Sequence, residues 1–396
     1  MMLFLLVPII WSVNAKIATY NILNFPEAMG SERVDDLRTV FAYLDPGILV
    51  IQEMQSQLGV DLFLDSIANI SGPDYAATPF NDGPDTDNSV VYRTNTVELV
   101  DAAYLPAVNR NIARYKFRFI DGNREFFIYS IHFKASSGST NEQIRLEEAA
   151  VLRSHLANHS SKDEYLVMGD FNIYTYDEPA YHALTNAPAN NSRLYEVIGA
   201  AGNWHENEQY SIVHTQSTRL YALPDGGASG GIDDRFDMIL AAQTMIDETG
   251  LYVVTGSYNV FGNDSYHFDR AINYGYNQAV PQQVANALYN ASDHLPVSIT
   301  ISDGEIQDKK SKVISILPNP MQEDAQLKFS WQDDFVKARV VITNVLGQRI
   351  ATIETTDPNG ISLHRSNIPV GIYFVHVMLE TRFNKIWDHC KLAVID

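Results

Sequence analysis

The segment YLVMGDFN, Tyr165 to Asn172, carries an apolar run of strand character into Gly169, Asp170, Phe171 and Asn172. Far downstream, SDHLPV from Ser292 to Val297 sets Asp293 and His294 against an apolar run that continues to Ile301. Polar side chains at strand ends are held rigidly by the sheet behind them, which suits groups that must surround a metal. Both segments point to phosphoester chemistry on a sheet scaffold.

Working outward, segments 16–20 and 47–52 read as short strands. Between them Val34, Leu37, Val40, Phe41 and Leu44 follow helical spacing over 27–44. A second helix is expected over 60–70. The turn-rich stretch 71–87 then leads into a strand at 89–92. Segments 115–119 and 125–133 predict a hairpin around Asp121, Gly122 and Asn123. A helix over 140–158, capped by Thr140, precedes the strand that carries Asp170. Strands mixed in hairpins and crossovers, with amphipathic helices between, predict an α/β (α+β) fold. The expected form is a four-layer sandwich of two packed mixed β-sheets flanked by helices.

The chain has 396 residues, too many for one ordinary domain. Residues 303–312, rich in charge and glycine, predict a linker. Beyond it, runs at 326–329, 338–343, 349–354 and 372–379 alternate with Pro and Gly turns and predict a small C-terminal all-β sandwich. Residues 1–15 are apolar and end on Val13, Asn14 and Ala15, the pattern of a cleaved secretory signal, with a buried first strand as the alternative. The expected division is 1–15 signal peptide, 16–302 catalytic domain, 303–312 linker and 313–396 sandwich. The single cysteine, Cys390, excludes an internal disulfide and reads as a buried or edge residue.

Net charge is −20, and its distribution is uneven. Residues 16–303 hold 17 Lys and Arg against 37 Asp and Glu, whereas 304–396 hold 11 of each. A field of that sign repels polyanions, so a long nucleic acid would be held by local basic groups and metal ions. Arg114, Lys116 and Arg118 share one face of a strand; they read as a solvated edge, with a local basic patch as the alternative. The long aromatic stretch 252–289 reads mainly as core packing, with base stacking or lipid contact as alternatives.

Hydrolysing a phosphoester requires a divalent cation on hard oxygen ligands, a positioned water with a base, and donors to the phosphoryl oxygens. Suitable groups occur in six places: Asn21, Glu53, His132, Asp170 with Asn172, Asp237, and Asp293 with His294. Taken singly, each has a plain structural reading, such as a helix cap for Asn21 or a turn for Asp237.

In order, TYNILNF (19–25), VIQEM (50–54), SIHFKAS (130–136), MGDFN (168–172), RFDMIL (235–240) and SDHLPV (292–297) resemble the endonuclease, exonuclease and phosphatase superfamily, the fold of pancreatic deoxyribonuclease, over about 16–301. The resemblance implies that Glu53 is the principal metal ligand, with Asn21 and Asp293 at the metal or ordering its water shell. It implies that Asp170 and Asn172 position the attacking water and the phosphate, and that Asp237 orients His294 against the scissile phosphate. His132 becomes an acid or phosphate donor, and Arg110 a phosphate contact. The family pairs this histidine with a glutamate. Here the comparable stretch is Asp85, Thr86, Asp87, Asn88, where Asp87 or Asn88 stands in and Asn88 joins the substrate-binding set. The implied cofactor is Mg2+, with Mn2+ or Ca2+ as alternatives.

Leu317 to Pro320, Val345 to Gln348 and Ile368 to Tyr373 resemble the type IX secretion sorting domain over about 311–396. That resemblance implies the type IX machinery as a partner and a location outside or on the surface of a Gram-negative cell, without stable membrane insertion after signal cleavage. The expected function is that of a secreted, metal-dependent endonuclease. The alternatives are a sphingomyelinase or other lipid or small-molecule phosphoesterase, and a surface-displayed binding protein with a vestigial site. Oligomeric state is not legible.

Overall fold

The computed structural model describes residues 14–72, 74–186, 192–247, 250–303, 314–329, 335–344, 348–381 and 385–395. The expected signal segment up to residue 13, linker residues 304–312 and the turn at 345–347 lie outside the described residues.

Two mixed sheets face each other. The first runs in the order Tyr252–Val253, Val297–Ser302, Asn14–Phe25, Ile48–Met54, Asp87–Arg93, Tyr75–Ala77, with Asn259–Val260 also paired to Val297–Ser302. The second runs Val97–Leu105, Ile112–Phe119, Glu125–His132, Tyr165–Asp170, Asp237–Ala242, Leu194–Glu196. Each sheet contains one parallel pair, Asn14–Phe25 with Ile48–Met54 and Glu125–His132 with Tyr165–Asp170. Parallel neighbours need a crossover, supplied by the helices Gly30–Leu44 and Ser139–Leu156.

The helix Gly30–Leu44 buries Leu37, Val40, Phe41 and Leu44 as its spacing predicts. Fully burying each of these side chains stabilises the fold by about 1.5–3 kcal/mol. A polar ladder runs through the otherwise apolar core: Thr19 Oγ1 donates to Gln52 Oε1 (3.0 Å), Gln52 Nε2 to Ser130 Oγ (2.9 Å), and Ser130 Oγ to Asn88 Oδ1 (2.7 Å). Such a network stitches two sheets together only when every member finds a partner.

The C-terminal residues form a sandwich of three strands (Ile314–Leu317, Asp324–Phe329, Gly360–His364) against four (Arg349–Thr355, Phe335–Asn344, Gly371–Thr381, Lys385–Val394). Ala325, Leu327 and Phe329 alternate inward along Asp324–Phe329, the period of two a half-buried strand requires. Cys390 is buried, on the edge strand Lys385–Val394. The Arg339 guanidinium lies 4.0 Å from the ring centroid of Tyr266, whose hydroxyl reaches Glu354 Oε1 at 2.6 Å, so the two parts touch.

Several local expectations are corrected. The helix expected over 60–70 begins earlier, as Gln57–Phe63, and its last turn over Leu64–Ala68 is wider than an α-helix. Gly138, not Thr140, precedes the helix Ser139–Leu156, and no side chain caps it. Asn21 lies within the strand Asn14–Phe25 and caps nothing, since that strand runs on past the expected end at residue 20. The strand Ile112–Phe119 is not an edge: Val97–Leu105 covers its other side. Its three cations are matched, Arg114 by Asp101, Lys116 by Glu125 (2.6 Å) and Arg118 by Glu125 (2.7 Å) and Glu98 (3.2 Å).

Candidate active site

The six expected places converge where the strands carrying Asn21, Glu53, His132, Asp170 and Asp237 end. Asn21 Nδ2 donates to Glu53 Oε1 (2.9 Å) and Asp170 Oδ2 (3.1 Å), joining the two sheets. The local backbone is shaped for this. Glu53 (φ 66), Asn24 (φ 40) and Asn172 (φ 51) all lie in the left-handed region, an unfavourable conformation tolerated where surrounding contacts enforce it. At Glu53 and Asn172 the enforcing contacts are visible: Glu53 Oε2 accepts from Asn24 N at 2.8 Å, and Asp170 Oδ1 accepts from Asn172 N at 3.0 Å. Gly169 is required because a side chain at its φ of 140° would collide with the Ile131 carbonyl.

His294 Nδ1 stands 2.7 Å from Asp237 Oδ2, with Asp170 Oδ2 at 3.8 Å from its Nε2. Asp293 is gripped separately: Ala228 N donates to its Oδ2 at 2.7 Å, and Ser292 Oγ, which donates to Asn21 O, anchors this turn to the first strand. His132 Nε2 faces Asp170 Oδ2 (3.5 Å) and Glu53 Oε1 (3.8 Å). Asn172 Nδ2 donates to Phe133 O at 3.1 Å.

Arg110 reaches toward the same group. Its NH1 donates to Phe133 O (3.2 Å), its Nε to Thr86 Oγ1 (3.2 Å), and its NH2 pairs with Asp85 (2.7 Å). The partner nearest His132 Nδ1 is neither Asp87 nor Asn88 but Thr86, whose hydroxyl lies 3.5 Å away. Asp87 accepts from Gly83 N. Asn88 belongs to the core ladder, accepting from Ser130 and donating to Asn111 O at 2.9 Å, outside the carboxylate cluster.

The crowding of acids has electrostatic consequences. Burial, then the charge on Asp293, raises the Glu53 carboxyl above its ordinary range, against the hydrogen bonds from Asn21 and Asn24. Burial also pushes Asp170 up to about 7; His294 opposes this, while Asp237 and Glu53 add to it. Burial, then Arg110, His294 and Lys134, hold His132 well below its ordinary value, so its ring is neutral. Burial opposes charge on His294 too, but Asp237, Asp170 and Asp293 overcome it and raise that group well above its ordinary value.

Gln216 pulls the other way. Its Nε2 lies 2.6 Å from His294 Nε2 and 3.2 Å from Asp293 Oδ2, and an amide donor there favours the neutral ring. Neither Gln216 nor Thr86 carried a sequence signal. Gln216 occupies a loop 78 residues from His294 in sequence and meets it only through the fold.

Among the described residues no group of three or more His, Cys, Asp or Glu side chains is poised to enclose a metal ion. The donor set nevertheless fits a hard divalent cation. Glu53 and Asp170 offer carboxylate oxygens around the Asn21 amide, and both have raised pKa values; the charge on Asp293 adds to the rise at Glu53, and among the described residues Asp237 Oδ1 is buried without a partner. A bound cation supplies charge for the phosphoryl oxygens and a more acidic water.

Buried ion pairs hold the surrounding loops. Arg145 bridges Glu178 (2.8 Å) to the carbonyls of Lys134 (2.8 Å) and Ser136 (2.9 Å). Arg219 pairs with Asp225 at 2.8 Å and donates to Tyr289 O and Asn290 O.

Residues 18–294 match the Endonuclease/Exonuclease/phosphatase family, and residues 315–386 match the secretion system C-terminal sorting domain. The chain therefore belongs to the endonuclease/exonuclease/phosphatase family, whose members are phosphoesterases that generally use divalent metals. Its sorting tail directs it to the outside or surface of a Gram-negative cell through the type IX system. Similar solved structures include a family member from Bacteroides thetaiotaomicron, 17% identical over 74% of this chain and 100% of that one, with a TM-score of 0.49. A mannosyl-6-phosphatase from the same species is 16% identical over 72% and 99%, TM-score 0.47. The catalytic domain of human Nocturnin is 20% identical over 74% and 95%, TM-score 0.45. No curated protein matches the chain.

Proposed function

We propose that the protein is an exported, divalent-metal-dependent phosphodiesterase that cleaves nucleic acid outside the cell. One observation carries the reading: the Asp237–His294 pair stands beside the Asn21–Glu53–Asp170 cluster, the base-and-acid combination that water attack on a phosphodiester needs. In this reading residues 16–302 are the catalytic unit, 313–396 the export unit and 1–15 the signal. Glu53, Asp293 and Asn21 hold Mg2+, with Mn2+ and Ca2+ as alternatives to be tested. Asp170 and Asn172 orient the water, His294 takes part in proton transfer at the phosphate, and neutral His132 with Arg110 donates to phosphoryl oxygens.

A second reading, a lipid or small-molecule phosphoesterase, is favoured by a specific observation. Arg114, Lys116 and Arg118 are neutralised by Asp101, Glu125 and Glu98 and offer no open basic track. Plasmid DNA, RNA, sphingomyelin and bis(4-nitrophenyl) phosphate assayed side by side with Mg2+ or Mn2+ separate the readings. Cleavage of DNA or RNA is the expected result. Activity confined to sphingomyelin or the small diester would sink the nuclease reading, and no activity at all would sink the phosphodiesterase itself.

A further inference from the structure

Three tyrosines are the most exposed aromatics among the described residues: Tyr276 at 82%, Tyr221 at 75% and Tyr274 at 62%. They come from two separate segments that the backbone fastens to one place. Thr218 N donates to Asp293 O (3.0 Å), and Ile272 N donates to Thr218 O (2.9 Å). The loop bearing Tyr221 is closed on itself, since Gly230 N and Gly231 N both donate to Arg219 O (3.0 Å each) and Arg219 pairs with Asp225. That loop also supplies Ala228 N, which grips Asp293. The segment bearing Tyr274 and Tyr276 is pinned by His267 Nε2 to Tyr274 O (2.9 Å), and Arg270 lies over the Tyr274 ring at 5.1 Å. The Tyr221 loop thus leaves the edge of the site from the residues that hold Asp293, and the Tyr274–Tyr276 segment is tied to that loop through Thr218.

Large aromatic side chains are normally buried, so exposing three on loops tied to a catalytic strand end leaves their apolar area available to a ligand. Tyrosine rings with a guanidinium beside them suit flat, unpaired bases: every base offers a π-face, and the cation can meet the backbone that follows. Paired bases in a duplex keep their faces stacked inside and cannot reach such rings. We propose that Tyr221, Tyr274 and Tyr276, with Arg270, form a stacking rim that selects single-stranded nucleic acid for the site beside it. The inference rests on the nuclease reading and narrows it to unpaired substrate.

The test compares the wild-type chain with Tyr221→Ala/Tyr274→Ala/Tyr276→Ala on a single-stranded oligonucleotide, the same sequence as a duplex, and bis(4-nitrophenyl) phosphate. The ratio of kcat/KM for the single strand to that for the small diester is expected to fall roughly tenfold or more in the variant, through KM, with the duplex value little changed. Thermal unfolding checks that the variant is folded, and Tyr276→Phe is expected to keep the wild-type ratio because the ring remains. An unchanged ratio on a wild-type enzyme that does cut oligonucleotides would overturn the rim alone. A wild-type enzyme that cuts the small diester and no oligonucleotide would overturn the nuclease reading itself. If the wild-type chain binds sphingomyelin vesicles and the variant does not, the rim is a membrane contact and the proposal falls.

Discussion

Gln216 places its side-chain nitrogen 2.6 Å from Nε2 of His294, opposite the nitrogen that faces Asp237 at 2.7 Å. An amide N–H can donate to Nε2 only if the ring proton sits on Nδ1, where it is given to Asp237. These two contacts favour the neutral imidazole, within a cluster of carboxylates that favours the charged one and raises its pKa well above the ordinary value. A cation on those carboxylates would weaken that pull and leave the neutral ring ready to accept a proton.

If Gln216 positions His294 in this way, Gln216→Met, which keeps the length and removes the donor, should lower kcat by about ten- to hundredfold with KM little altered. Steady-state kinetics on a small diester makes the distinction. A raised KM with kcat intact would mean that Gln216 contacts substrate and does not position the ring.

Crowded acids predict a metal-dependent gain in stability. With Mg2+ at about a hundred times its Kd, the unfolding free energy should rise by about 2.7 kcal/mol. Glu53→Gln should lose that gain and weaken binding by calorimetry at least tenfold, roughly. Equal Mg2+ stabilisation in both proteins would remove Glu53 from the ligand set.

Arg145 has no exposed side-chain surface and its charge is answered by Glu178. Removing one partner strands the other, so Arg145→Met should cost about 3–5 kcal/mol in urea unfolding. Adding Glu178→Gln should recover part of that loss. A single-variant cost near zero would show that the pair does not hold the 134–136 loop to the segment after Asn172.

Burial lowers the His214 pKa to about 4, against the hydrogen bond its Nε2 makes to Trp204 O at 2.7 Å. Between about 6.5 and 4 the unfolded chain binds a proton that the folded chain refuses, so stability is full above 6.5 and is lost as pH falls through 4. The contribution is of order 3 kcal/mol. His214→Gln keeps the donor and removes the titration, so its urea midpoint should fall less steeply than wild type across that window. Parallel curves would refute the assignment.

Much of the fold was legible because strand and helix periods report which face is buried. Leu37, Val40, Phe41 and Leu44 mark the first crossover helix, and the strands carrying Glu53, His132, Asp170 and Asp237 announce themselves as apolar runs with a polar residue at or near one end. Local features were less legible because their causes are not local. Thr140 looks like a cap, yet the chain enters that helix through Gly138. Arg114, Lys116 and Arg118 look solvated, yet the strands on both sides answer their charge, through Glu98 and Asp101 on one and Glu125 on the other.

The sequence alone determined that six short motifs set polar residues within or beside strands, since an apolar run and the polar residue that interrupts it are read from nearby residues. Only the tertiary structure decided how those residues meet. Asn21 bridges Glu53 to Asp170, Thr86 takes the place beside His132, and Gln216 closes on His294 across 78 positions of chain. The physical reason is that hydrogen bonds and carboxylate repulsion act over a few ångströms, and which groups come that close depends on how two sheets pack and not on their spacing along the chain.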